Sequence, residues 1–172
     1  MKKLSLVILA LVAILAAAGF ASLRLAGAAS SSPNPSKAAS SCDPRGISVF
    51  GYIKSLTPSG ERFELRFDPA LVLTGATATR AALEDTGSGD IANDNYFVNE
   101  SLRAYTYVVP ATARVKVLTP PLSLSGTAIT VEQLAQLVKG EQPVKLFEPI
   151  KTGFWMHYYN DSVCSLTQQY IP

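Results

Sequence analysis

The sequence predicts an α+β domain built mainly on antiparallel strands, either a small curved sheet or a partly open barrel of the OB type, with five to seven strands and two short helices. Three observations lead there. Period-two alternation recurs along the chain, at its clearest where Phe63, Leu65 and Phe67 interleave with Arg62, Glu64 and Arg66. Strand-like runs are joined by short turn sequences, which makes hairpins and hence antiparallel pairing. A well-capped helix also precedes the last pair of strands, as it does in OB barrels.

In chain order, 47–56 reads as a strand with Phe50 and Tyr52 prominent, and Thr57-Pro58-Ser59-Gly60 as the turn into the next strand. Asp68-Pro69 has the form of a helix start, so 70–73 is expected to be helical. A second helical stretch spans 77–85 and stops at Gly87. Residues 85–95 are irregular. Strands follow over 96–98, 102–109 and 114–118, and Pro120-Pro121 ends the run. Thr130 and Gln133 then form a capping box, in which each side chain satisfies the other residue's backbone N–H. Ile129 and Leu134 can staple the helix entry, and Val131, Leu134, Leu137 and Val138 make its apolar stripe. The chain closes on a hairpin, 154–159 and 163–170, turning at Asn160-Asp161 and setting His157 opposite Cys164.

Ahead of this domain lies an address. Lys2 and Lys3 precede twenty uncharged residues, Leu4 to Leu23, and Ala26-Gly27-Ala28 offers small side chains for cleavage before Ala29. Residues 1–28 therefore read as a signal peptide. Kept uncleaved, such a run at ~1.5 Å per residue would span roughly 30 Å and anchor the chain, the one membrane contact the sequence offers. Residues 29–41, rich in Ser, Ala and Pro, read as a flexible linker, and 42–172 as a single globular domain. Both leader readings put the domain outside the cytoplasm, secreted or attached to the envelope. Cys42 lies too far past the apolar run for lipid processing. In an oxidising compartment Cys42 and Cys164 are expected to form a disulfide, stabilising by about 4–5 kcal/mol in the chain-entropy model.

The formal charge of +2 misleads. Lys2, Lys3, Arg24 and Lys37 precede the domain; removing them from fifteen basic residues leaves eleven against thirteen acidic ones, a balance of −2. With no basic stripe, nucleic acid is not an expected partner. His157 is the one histidine and no Gly-x-Ser-x-Gly elbow occurs, so a histidine-based serine hydrolase has little support. One His and two distant Cys exclude an ordinary zinc site. Calcium is the one cofactor the chain suggests: Asp85, Asp90, Asn93, Asp94 and Asn95 bring hard oxygen donors to a Gly-rich stretch, without EF-hand spacing. The same residues suit any solvated loop. Tyr105, Tyr107, Trp155, Tyr158 and Tyr159 are candidates for an aromatic cluster, either a binding surface or core. Asn99-Glu100-Ser101 and Asn160-Asp161-Ser162 match the glycosylation pattern.

Gly51-Tyr52-Ile53-Lys54-Ser55-Leu56, Arg66-Phe67-Asp68-Pro69-Ala70, Asn93-Asp94-Asn95-Tyr96 and the ending Gln168-Gln169-Tyr170-Ile171-Pro172 resemble a group of small exported proteins of Gram-positive, actinobacterial type. That resemblance implies export and a shared fold, and no activity. The expected function is a non-enzymatic binding or structural module with an extracellular or envelope partner. The alternatives are a calcium-stabilised adhesion or inhibitor domain, and a hydrolase working through carboxylates alone.

Overall fold

The computed structural model describes residues 43–101 and 103–171. The expected leader, the linker and Cys42 lie outside the described residues. Among the described residues, nine strands and two α-helices follow in the order β1 (Ile47–Ser59), β2 (Arg62–Pro69), β3 (Leu71–Thr74), α1 (Gly75–Thr86), β4 (Asn95–Val98), β5 (Tyr105–Pro110), β6 (Arg114–Val117), β7 (Thr127–Ile129), α2 (Val131–Val138), β8 (Phe154–Tyr159) and β9 (Ser162–Gln168). The class is α+β and the sheet is mostly antiparallel, as the alternation predicts.

Five strands close a barrel in the order β5-β2-β1-β8-β9, with β9 returning to β5. The closing pair is parallel, Val108 against Ser162, and the Val108 N–H donates to the Asp161 carbonyl at 2.9 Å. β6 continues along β9 in parallel and carries β7 on its far side. This is the OB-type barrel, with β6 and β7 extending one edge. β1 serves both halves. It pairs with β8 over residues 47–51 and with β2 over 51–59, so Gly51 has partners on both sides. A Cβ there would stand 2.3 Å from the Asp68 carbonyl oxygen, so only glycine fits this corner.

The barrel interior is filled by Leu56, Leu65, Phe67, Val109, Val115, Met156 and Leu166, all essentially inaccessible. Their alternation along each strand is what closes the sheet: one face leaves water at roughly 25 cal/mol per Å² while the other stays wet. α2 packs against β1 and β6 and adds Val131, Leu134 and Ala135 to the core. Its capping box forms as the sequence predicts, with Thr130 Oγ1 accepting from the Gln133 N–H at 3.1 Å and Gln133 Oε1 accepting from the Thr130 N–H at 2.9 Å. Between β2 and β5 the chain inserts a separate ribbon, β3 paired with β4, on which α1 packs. α1 ends at Gly87 in the left-handed region, its N–H bonded to the Leu83 carbonyl.

Four expectations need correction. Residues 70–73 are not helical: Asp68 ends up buried inside β2, and β3 finds a partner in β4 that a local reading cannot see. The first turn falls at Gly60-Glu61, because Thr57 and Pro58 stay in the ladder opposite Glu64 and Phe63. Pro58 lies beyond the stretch of β1 that pairs with β8, so its missing N–H costs no bond on that side. The strand expected from residue 102 starts at Tyr105. In the last hairpin, Asn160 and Asp161 take positive φ angles of 46° and 59°, the two-residue turn anticipated. His157, however, pairs with Ser165 and Tyr158 with Val163. Cys164 is the extra residue of a bulge, so it does not face His157.

Candidate functional site

The barrel wall sorts the aromatic candidates onto opposite sides. Tyr107 points inward, packed edge-on against Phe67 and Tyr158 with centroids at 6.4 and 4.9 Å. Burial, then the charge and hydroxyl of Tyr158, push its phenol up to about 12. Tyr105 sits at the strand's exposed end beneath the Arg103 guanidinium, 5.2 Å from the ring centre. Tyr159 carries Arg45 over its ring at 4.8 Å. Trp155 stands on the outer face, 38% exposed, its Nε1–H donating to Gln169 Oε1 at 2.8 Å.

Strand register arranges the outer face into two rows. Arg114 of β6 pairs with Ser165 of β9, which pairs with His157 of β8 and then Ser48 of β1. One pleat along, Lys116 pairs with Thr167, then Trp155, then Phe50. Their strand neighbours Val115, Val117, Leu166, Phe154 and Met156 are buried, which fixes these rows on the outer side, where Phe50 is itself covered and packs against Phe97 and Trp155. Arg114, Lys116, Ser165 and Thr167, with Leu124 and Ser125 from the loop before β7, line a hollow of about 450 Å³. Leu124, 73% exposed, also lines a second hollow of about 320 Å³ with Asn95, Phe97, Gln169 and Tyr170. The sequence reading named Trp155 on this face but missed Arg114 and Lys116. Their spacing of two on a strand was the available signal, and it becomes a patch only once β6 lies beside β9.

In the other row His157 is held from both sides. Its Nε2 lies 3.3 Å from the Asp43 carbonyl, which can only accept, so Nε2 carries hydrogen. In the neutral ring, Nδ1 then accepts from the Ser48 hydroxyl at 3.0 Å. A hydroxyl on imidazole is how nucleophiles are activated, yet neither outer-face hollow includes Ser48 or His157. Asp43 itself is bound by Arg45 at 2.7 Å, and that hydrogen bond holds its carboxyl below the usual range.

The face of β2 and β5 is smaller and mixed in charge. Arg62, Glu64, Thr106 and Val108 border a hollow of about 140 Å³, with Glu64 standing between Arg62 and Arg66 along the strand. The buried carboxylate of the described residues is Asp68. A bulge at Lys54 turns its ammonium onto Asp68 Oδ2 at 2.8 Å, and Asn99 Nδ2 donates to the same oxygen at 3.1 Å. Burial pushes the Asp68 carboxyl up, but these two hydrogen bonds and the Lys54 charge outweigh it and leave it below its ordinary value.

In the loop proposed for calcium, two of the five side chains have protein partners. Asp85 accepts from the Tyr96 hydroxyl at 3.0 Å, and Asn95 donates to the Asn93 carbonyl at 2.8 Å. Asn93 and Asp94 take positive φ, and Asp90 is exposed. Among the described residues no three His, Cys, Asp or Glu side chains gather as a metal ion requires. Cys164 is half-buried in β9.

Compared with known proteins, no family model matches the chain, and no curated protein or solved structure matches it.

Proposed function

We propose that the protein is a non-enzymatic binding module of the extracytoplasmic space, and that the outer face of β6, β9 and β8 takes an anionic glycan. The observation that carries this reading is the pairing of Arg114 with Ser165 and Lys116 with Thr167 across one hollow of about 450 Å³. Two cations flanked by hydroxyls match a sugar acid: the guanidinium forks onto a carboxylate or phosphate, the ammonium adds charge, and Ser and Thr meet sugar hydroxyls. Trp155, in line with Lys116 and Thr167, offers the flat apolar surface on which a sugar ring stacks. The rival face of β2 and β5 has less than a third of this volume and carries Glu64 among its cations. The basic leader and its apolar run supply the compartment in which such polymers occur.

Trp155 is the chain's one tryptophan, so its fluorescence reports on this face. Titration with an oligogalacturonate is expected to shift that fluorescence saturably, with binding weakened by salt. Arg114→Ala with Lys116→Ala is expected to weaken binding at least about tenfold, the cost of losing charge-assisted hydrogen bonds. A neutral oligoglucoside that binds as tightly, or single-stranded DNA that binds more tightly, would overturn the reading, as would an unmoved signal.

A further inference from the structure

The two hollows of the outer face meet at Leu124, which lines both. β9 also serves both. Ser165 and Thr167 line the larger hollow, Gln168 is buried, and Gln169 returns to the outer side to line the smaller one. The Gln169 N–H bonds the Gly153 carbonyl at 3.0 Å, which carries the ladder one residue past the strand's end. Alternate residues of a strand stand roughly 7 Å apart, so one run of chain presents polar side chains to both hollows at a regular step. Trp155 spans that step: it pairs with Thr167 and donates to Gln169. The far wall of the smaller hollow comes from the inserted ribbon. Asn95 and Phe97 share one face of β4 there, and Phe97 packs on Phe50 at 4.9 Å, which packs on Trp155 at 5.6 Å.

The two hollows differ in charge. Arg114 and Lys116 line the larger. The smaller, of about 320 Å³, has no charged side chain in its lining; it offers the amides of Asn93, Asn95 and Gln169 and the rings of Phe97 and Tyr170. Asn95 and Gln169 each spend one amide hydrogen on a backbone carbonyl, that of Asn93 and that of Tyr170, which orients both amides and leaves each a second hydrogen to donate. An amide both donates and accepts, as a sugar hydroxyl or an acetamido group does. A carboxylate seated there would lose its water without gaining a cation. We propose that the glycan taken by the outer face is a mixed one: an uncharged sugar sits in the smaller hollow, joined across Leu124 to the acidic sugar at Arg114 and Lys116. This rests on the anionic-glycan reading and specifies its ligand. It also gives the β3–β4 ribbon a task, since β4 supplies the wall that the barrel alone lacks.

The probes are a hyaluronan tetrasaccharide, in which glucuronate and N-acetylglucosamine alternate, and a tetragalacturonate, acidic at every unit. Each is titrated into the protein against Trp155 fluorescence. The mixed sugar is expected to bind at least about tenfold more tightly despite its fewer charges, through the hydrogen bonds its uncharged units add. Asn93→Gly with Asn95→Ala strips two amides from the smaller hollow, and glycine suits the positive φ of 51° at residue 93. This variant is expected to lose the preference while its affinity for tetragalacturonate stays within about twofold, which also shows that it is folded. Equal affinities in the parent, or a preference for tetragalacturonate, would overturn the mixed-glycan inference and leave the anionic-glycan reading standing. So would a preference that survives in the variant, because the smaller hollow would then not be its source. Binding of neither sugar would overturn the anionic-glycan reading and this inference with it.

Discussion

Replacing Gln168 tests how the open end of the β9 edge is tied down. Its side chain is 4% exposed and joins three segments. Oε1 accepts from the Leu118 N–H at 2.9 Å, and Nε2 donates to the Glu148 and Pro149 carbonyls at 3.2 and 3.0 Å and to Thr152 Oγ1 at 3.2 Å. Gln168→Met keeps most of the volume and removes every one of these bonds. The buried Leu118 N–H is then left without an acceptor, which costs about 1–3 kcal/mol. Gln168→Ala adds a cavity and raises the loss to about 2–4 kcal/mol. Urea unfolding measures both as a lower midpoint at unchanged slope. At about 3–5 °C per kcal/mol for a domain of this size, the melting temperature falls in step. Amide exchange at Leu118 is expected to accelerate selectively in the Met variant. A Met variant within about 0.5 kcal/mol of the parent, with Leu118 still protected, would refute the claim that these bonds hold residues 148–152 against the barrel.

Three further outcomes are expected. Asp68 has a folded-state pKa below its unfolded value, so its contribution to stability is present above about pH 4 and is lost as pH falls through the depressed value; urea midpoints should drop there in the parent and not in Asp68→Asn. Tyr107 shifts the other way, from 10.0 to about 12, so its contribution persists below about pH 10 and disappears as pH rises towards 12; Tyr52 and Tyr96 are raised as well, so absorbance at the tyrosinate band should show a late-titrating component that loses one tyrosine in Tyr107→Phe. Thr130→Ala should cost about 1 kcal/mol, and combining it with Gln133→Ala should cost less than the sum, since the two caps are reciprocal.

Where side-chain period and turn chemistry were strong, the fold was legible. Phe63, Leu65 and Phe67 announced β2, Thr130 and Gln133 announced α2, and Asn160-Asp161 announced the final turn. Long-range pairing was not legible. Residues 70–73 carry helix-start residues, yet β4, more than twenty positions later, recruits them into a ribbon. β7 has only three residues and no alternation long enough to detect. The bulge at Cys164 could not be foreseen, because one extra residue leaves composition unchanged while shifting every partner beyond it. The candidate face was half legible. Trp155 declared itself by type, whereas Arg114 and Lys116 looked like the wet side of any strand until β9 set hydroxyls beside them.

The way β1 divides its two edges has a consequence for the chain's assembly. Its first residues have no neighbour until residues 154–158 have arrived, more than a hundred positions later. Until then the half-made sheet offers bare N–H and C=O groups to any passing strand. A product cut short before the final hairpin would therefore not be a smaller version of the same molecule; it would be a sticky, unsealed ribbon, and aggregation rather than a milder melting point is the fate to look for in such truncations.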